Sequence, residues 1–188
     1  EIASCLVGSE MCIRDSDSVA VATAGIGSYS HLSALWFNSA AGVKTNLVPY
    51  NSSSPYVDLI AGQVQLMFDG LPAAAGNIHT GKLRLLAITG KERAPSFPDV
   101  PTFAEAGLPD YAPIAWQGLL APAGTPKPVL EKLSAAMRKA CQSNELARKW
   151  RDYGGELRCN TPAEFKAFID ADRAMWGKVI REARVKLD

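Results

Sequence analysis

The chain has 188 residues, 47% of them hydrophobic and 21% charged, with a formal net charge of +1. That is enough chain for a real hydrophobic core, as one large domain or two small ones. Balanced charge without a basic tract offers nothing to nucleic acid or to an anionic membrane surface, and no apolar run approaches the length of a membrane span.

Residues 1–17 show neither helical nor strand periodicity and join awkwardly to the apolar run beyond them. They are read as standing outside the fold, a cloning or gene-assembly remnant in preference to an N-terminal arm. The first element is an apolar strand over 19–22, which runs into Thr23-Ala24-Gly25-Ile26-Gly27-Ser28-Tyr29-Ser30-His31 and then a helix over 30–41. Glycines at a strand-to-helix turn let the backbone take unusual torsions and let a ligand approach closely. The first N–H groups of the helix have no intrahelical partner and carry the positive end of its dipole, so the turn is a candidate anion site. Ser28 and Ser30 can reach such an anion or cap the helix, and a capped turn without ligand is the alternative.

Gly42 stops the helix. A strand over 45–48 closes with Pro49-Tyr50, and the polar turn after it puts Ser54 at the N-cap and Pro55 at the first position of a helix over 56–61. An almost wholly apolar strand over 64–68 delivers Asp69, a helix runs from near Pro72 to near Gly81, and 83–89 reads as the next strand. Strand and helix alternating at this spacing make a parallel α/β sheet, whose ligands bind beyond the C-terminal strand ends. The loops there are 23–31, 50–54 and 69–71. Asp69 either accepts from an ammonium or hydroxyl of the ligand or caps the helix after it, and the capping role is slightly favoured.

Residues 91–113 turn charged and proline-rich around a small helix over 103–106, as a linker or crossover would. A strand over 114–121 follows, then a helix with Thr125 as cap and Pro126 as first residue. Val129, Leu130, Leu133, Met137 and Ala140 give that helix one apolar face. Next come a helix over 146–153, a turn at Gly154-Gly155, a short strand over 156–158, and a last helix opened by a Thr161–Glu164 capping box. Phe165, Phe168, Ile169, Met175, Trp176 and Val179 line that helix and read as core packing.

Of the four cysteines, Cys5 and Cys12 lie in the excluded segment. Cys141 and Cys159 flank a helix-turn segment; they either close a loop in an oxidising compartment or stay free, part-buried thiols. No cysteine or histidine spacing suggests zinc, and His79, near a helix end, is expected to face solvent.

Seven motifs in order carry a family resemblance: Gly25-Ile26-Gly27-Ser28 with His31-Leu32; Val48-Pro49-Tyr50; Gly62-Gln63-Val64 leading to Met67-Phe68-Asp69; Gly81-Lys82-Leu83-Arg84 with Leu86-Ala87; Pro98-Asp99-Val100-Pro101-Thr102 with Glu105-Ala106-Gly107; Trp116; and Ala121-Pro122-Ala123-Gly124-Thr125-Pro126. From about Ser18 onward the chain resembles the periplasmic receptors of tripartite tricarboxylate transporters, the Bug or TctC type. The resemblance implies an α/β, periplasmic-binding-protein-like, two-lobed (Venus flytrap) fold with the N-terminal part of lobe 1 missing. Residues 18–110 are similar to lobe 2, and 111–188 to the crossover and the C-terminal part of lobe 1.

It further implies a periplasmic, monomeric receptor that captures a small organic carboxylate and hands it to membrane subunits of the transporter, with no reaction catalysed and no cofactor or metal. Site roles carry over to Gly25, Gly27 and Ser28 in the helix-start loop, to His31 one turn on, to Tyr50, Asn51 and Ser53 in the second loop, to Asp69 in the third, and to Trp116 at the crossover. Asn51 and Ser52 stand where the family usually has a basic residue and a glycine, and Gly70 where it often has asparagine. With part of lobe 1 missing, Trp116 and the C-terminal helices are expected to leave apolar surface exposed.

Two rival readings start from the same loop. A dinucleotide-binding Rossmann unit would want a third glycine where Ser30 stands, and an acidic residue where the second strand ends in Pro49-Tyr50-Asn51. A hydrolase would use Ser28, His31 and Asp69, but the chain has no Gly-x-Ser-x-Gly elbow at Ser28.

Overall fold

β1 (Ala20–Thr23) is the middle strand of a three-stranded parallel sheet. The computed structural model describes residues 19–51 and 54–185. β1 pairs with β2 (Asn46–Pro49) on one side and with β3 (Leu66–Met67) on the other, in the order β2-β1-β3. Val21, Ala22 and Thr23 are all buried, as a central parallel strand covered on both faces requires. Thr23 is paired with Pro49 and Ala22 with Met67, so the three strands stop nearly level and their loops emerge side by side.

α1 (Tyr29–Ala41) follows β1 and ends at Gly42, whose φ of 65° and N–H to the Asn38 carbonyl form the expected left-handed cap. α2 (Pro55–Ile60) follows β2, with Ser54 at the N-cap position but making no side-chain cap bond. α3 (Leu71–His79) follows β3. Exposed His79 ends α3 with its ring stacked on Phe97.

Aromatic rings fasten the remaining chain to α1. Trp36 and Phe37 meet Tyr111, and Phe37 also meets Phe68 and Phe103. The Tyr111 hydroxyl, buried with its ring, donates to the Ser33 carbonyl at 3.1 Å, and burial raises its pKa. Beyond lie α4 (Lys127–Cys141), α5 (Asn144–Asp152) and α6 (Pro162–Glu182). α6 lies against α1, its Trp176 edge-on to both Tyr29 and Trp36. Its capping box is complete: Glu164 N–H donates to Thr161 Oγ1 while the Glu164 carboxylate accepts from Thr161 N–H. Cys141 and Cys159 are disulfide-bonded around α5, which resolves the open alternative in favour of the closed loop.

Several expected elements differ. Residues 83–89, 114–121 and 156–158 are not strands, because extended chain becomes strand only through a ladder partner; the one pairing in these stretches is an isolated bridge from Ile88 to Thr102. β3 is shorter than 64–68 for the same reason. Residues 103–107 form a turn instead of a helix. Thr125 turns its hydroxyl back to the Pro122 carbonyl at 2.8 Å, so Pro126 is the N-cap of α4. The apolar face expected on α4 is uncovered, with Val129, Leu130, Leu133 and Met137 all exposed. None of the described helices is long and apolar enough to cross a membrane.

Candidate functional site

The three loops at the C-terminal strand ends are the candidate site, and the first is folded by its own side chains. Gly25 (φ 97°) and Gly27 (φ 79°) take torsions that side chains resist. Ser30, buried, accepts from Ala24 N–H at 2.8 Å, and Ser28 Oγ donates to the Gly25 carbonyl at 2.7 Å. Since the single Ser28 proton goes to Gly25, the 3.1 Å contact between the two hydroxyls is Ser30 donating to Ser28. Ser28 Oγ also caps α1 by accepting from His31 N–H at 3.3 Å. Both serines are therefore spent on shaping the loop, the capping alternative raised by the sequence. What the loop presents to an anion is backbone: the amides of Tyr29 and Ser30, first in α1, have no intrahelical acceptor.

His31 reaches back one turn, its Nδ1 accepting from Gly27 N–H at 3.3 Å. Burial pushes the imidazole pKa below its ordinary value, so the ring is neutral at pH 7 with its proton on Nε2.

The second loop lies against the first. Tyr50 N–H donates to the Thr23 carbonyl at 2.8 Å, and a Cβ on Gly25 would fall 2.9 Å from Asn51 Oδ1. Gly25 is required by its torsion, and a side chain there would also push the exposed Asn51 amide aside. The Tyr50 hydroxyl donates to Asp58 of α2 at 2.7 Å, which raises its pKa. Ser53 lies outside the described residues.

In the third loop Asp69 accepts from Gly70 N–H at 2.7 Å through Oδ1 and from the Tyr56 hydroxyl through Oδ2. Gly70, not Asp69, is the N-cap of α3, so the carboxylate braces the loop without capping the helix. Desolvation, then the bond and charge of Asp69, hold the Tyr56 phenol well above its usual pKa. Ala115 packs against Gly70, a Cβ there lying 3.6 Å from Ala115 Cβ. The next residue, Trp116, turns away onto α6: its rings meet Phe165 and Phe168, and its indole N–H donates to Asp172 at 3.0 Å.

The structure therefore gathers Gly25, Gly27, Ser28 and His31 with Tyr50 and Asn51. Asp69 stands on the neighbouring loop, and Trp116 is engaged with the C-terminal helix. Three residues escaped the sequence reading. Tyr29 opens α1, its phenol pKa raised chiefly by burial, with Asp69 and Asp172 adding to the rise. Tyr56 holds Asp69, and Asp172 holds Trp116. The available signal for Asp172 was a carboxylate at helical spacing inside an aromatic stripe, between Phe168 and Trp176.

Comparison with known proteins points to one family. The family described as "Tripartite tricarboxylate transporter family receptor", TctC, matches residues 11–185. The protein BugT of Bordetella pertussis is 33% identical over 177 residues, covering 94% of this chain and 54% of BugT. A solved structure of R. palustris Rpa4515 with adipate superposes with a TM-score of 0.87 at 31% identity, covering 98% of this chain and 61% of that one. MatC from Rhodopseudomonas palustris with bound malate gives 0.80 at 33% identity, covering 95% and 60%. The chain thus spans about half the length of the curated relatives it matches and has the periplasmic-binding-protein-like fold of these two-lobed proteins. It belongs to the TctC, or Bug, family of periplasmic receptors of tripartite tricarboxylate transporters.

Proposed function

We propose that this chain is a solute-binding receptor that captures a small carboxylate-containing anion in the periplasm and delivers it to the membrane subunits of a tripartite tricarboxylate transporter. The observation that carries the reading is the start of α1. There a preformed glycine loop, fixed by Ser28 and Ser30, leads into helix amides that have no intrahelical acceptor. Neutral, preorganised donors of this kind hold a carboxylate without an arginine. The bound adipate and malate of the related proteins support the class of ligand.

Gly25, Gly27, Ser28, His31, Tyr50, Asn51, Ser53, Asp69 and Trp116 make up the proposed site, the serines acting by shaping the loop. Residues 18–110 form one lobe and 111–188 belong to the crossover and the other. Ligand bridging the lobes shifts the population from open to closed, with a hinge near residues 108–114; the second crossover, before Val19, lies outside the described residues.

The chain works as a monomer and without catalysis. Against a hydrolase stands the engagement of the candidate groups: the Ser28 proton goes to Gly25, and His31 Nδ1 is taken by the Gly27 amide. Against a dinucleotide site stands Tyr50, tied to Asp58 where the ribose-binding acid would lie.

The test is thermal unfolding against mono-, di- and tricarboxylates including adipate and malate, with NAD and an ester as controls. A ligand at about a hundred times its Kd adds about 2.7 kcal/mol of stability. A carboxylate-selective rise supports the receptor, a rise with NAD alone replaces it with a nucleotide site, and turnover of the ester replaces it with a hydrolase.

A further inference from the structure

The Gly27 amide differs from its neighbours in the loop. Ser28 N–H donates to the Gly25 carbonyl, Ala24 N–H to Ser30 Oγ and His31 N–H to Ser28 Oγ, partners that keep their lone pairs at any pH of interest. Gly27 N–H donates to an imidazole nitrogen, which loses its lone pair when the ring is protonated. Beside it are the Tyr29 and Ser30 amides, which have no intrahelical acceptor at the proposed anion site. One donor of the cradle is thus covered by a side chain that titrates.

We propose that His31 sets the anion affinity of the α1 N-terminus, masking the Gly27 amide while the ring is neutral and releasing it when the ring takes a proton. Protonation would face one N–H with another, so the ring must turn away. The new positive charge then sits one turn inside a helix start, where the dipole opposes it unless an anion is present. Anion binding and proton uptake therefore favour each other, and by reciprocity a bound carboxylate raises the imidazole pKa by as much as protonation tightens binding.

The titratable groups of the neighbouring elements are engaged elsewhere. Asp58 of α2 takes the Tyr50 hydroxyl, and Asp69 takes Tyr56 and Gly70. Asp172 of α6 takes Trp116, and His79 stacks on Phe97. Burial is the cause that lowers the His31 pKa. This inference rests on the receptor reading for its ligand, while the contact between ring and amide can be measured without one.

The experiment is an NMR titration of the 15N-labelled full chain from about pH 8 to pH 5, with His79→Gln to identify the second imidazole. The expected result is an unprotonated Nδ1 at the upper end and a Gly27 amide resonance that moves with the His31 midpoint. In parallel, adipate and malate affinities are measured by calorimetry at both ends in the parent and in His31→Phe, which reports the ligand's own protonation. Relative to that variant, the parent binds about tenfold tighter at low pH for each unit by which ligand raises the His31 pKa. A Gly27 amide that ignores the imidazole overturns the proposal, as does a parent whose affinity profile matches that of His31→Phe. An amide that follows the ring while neither acid binds at any pH overturns the receptor reading and leaves the ring-amide switch supported.

Discussion

Trp36 of α1 and Trp176 of α6 meet edge to face with ring centroids 5.8 Å apart. Tyr29, the first residue of α1, meets the same indole with centroids 6.0 Å apart. Through these rings the C-terminal helix is fastened to the helix whose start is the proposed anion site. Trp176→Ala should cost about 2–3 kcal/mol in urea denaturation, toward the lower end for an aromatic truncation because the ring is half-buried. If Trp176 mattered only for local packing of α6, adipate binding would survive at concentrations where the chain remains folded; a parallel loss of binding is expected instead.

The two serines of the first loop should each cost stability when truncated. Ser30→Ala leaves the Ala24 amide without its side-chain acceptor and should cost about 1 kcal/mol. Ser28→Ala removes an N-cap and should cost about 1 kcal/mol. Gly27→Val forces a β-branched residue to φ 79° and should both destabilise the fold, by about 1–3 kcal/mol, and abolish carboxylate binding. Thermal melts with and without adipate read all three, and unchanged binding in Gly27→Val would remove the loop from the site.

Reduction should be felt through α5. The Cys141–Cys159 bond closes a loop between residues 18 apart in sequence. A closed loop of that size contributes on the order of 3 kcal/mol. Dithiothreitol, or Cys141→Ser with Cys159→Ser, should lower the melting midpoint, with Ser143 left as the remaining anchor of the α5 N-terminus.

Acid should weaken the fold at two carboxylates. Arg93 bonds both oxygens of Glu105, and Thr102 N–H adds a third donor, which holds that carboxyl below its ordinary value of 4.5. Thr161 N–H and its hydroxyl do the same for Glu164. A depressed folded pKa gives stability that is complete above the unfolded value and is lost as pH falls through the folded one. The melting midpoint should therefore fall below about pH 4.5, and Glu105→Gln with Glu164→Gln should make that fall shallower while lowering the neutral plateau. An equally steep acid limb in the double variant would assign it to other carboxylates.

Much of the architecture was legible where it is local. The glycine turn into α1, the Gly42 cap and the Thr161–Glu164 box each depend on residues within one or two turns, and each stands where the sequence puts it. Residues 83–89, 114–121 and 156–158 were misread because strandedness is a property of a pair, and their apolar residues say nothing of a partner. At the site, the sequence named the loops but could not divide the serines between ligand and backbone. That division comes from where one proton goes, from Ser28 to Gly25. Tyr56 was invisible for a related reason, since it acts on a residue distant in sequence, and while the spacing of Asp172 within its helix was legible, its partner Trp116 was not.

Leu119 and Leu120 stand 61% and 71% exposed in a stretch whose backbone joins no ladder among the described residues. Such a stretch is an open substrate for a protease, and its amide hydrogens exchange almost freely. A nick there would fall outside the disulfide loop and would divide the polypeptide between the sheet with α1 and the three C-terminal helices. The Trp36–Trp176 contact and its neighbours would still hold the pieces together. The cleaved protein would then migrate as one particle in a native gel and as two bands once denatured, so intact mobility alone would not establish an intact chain.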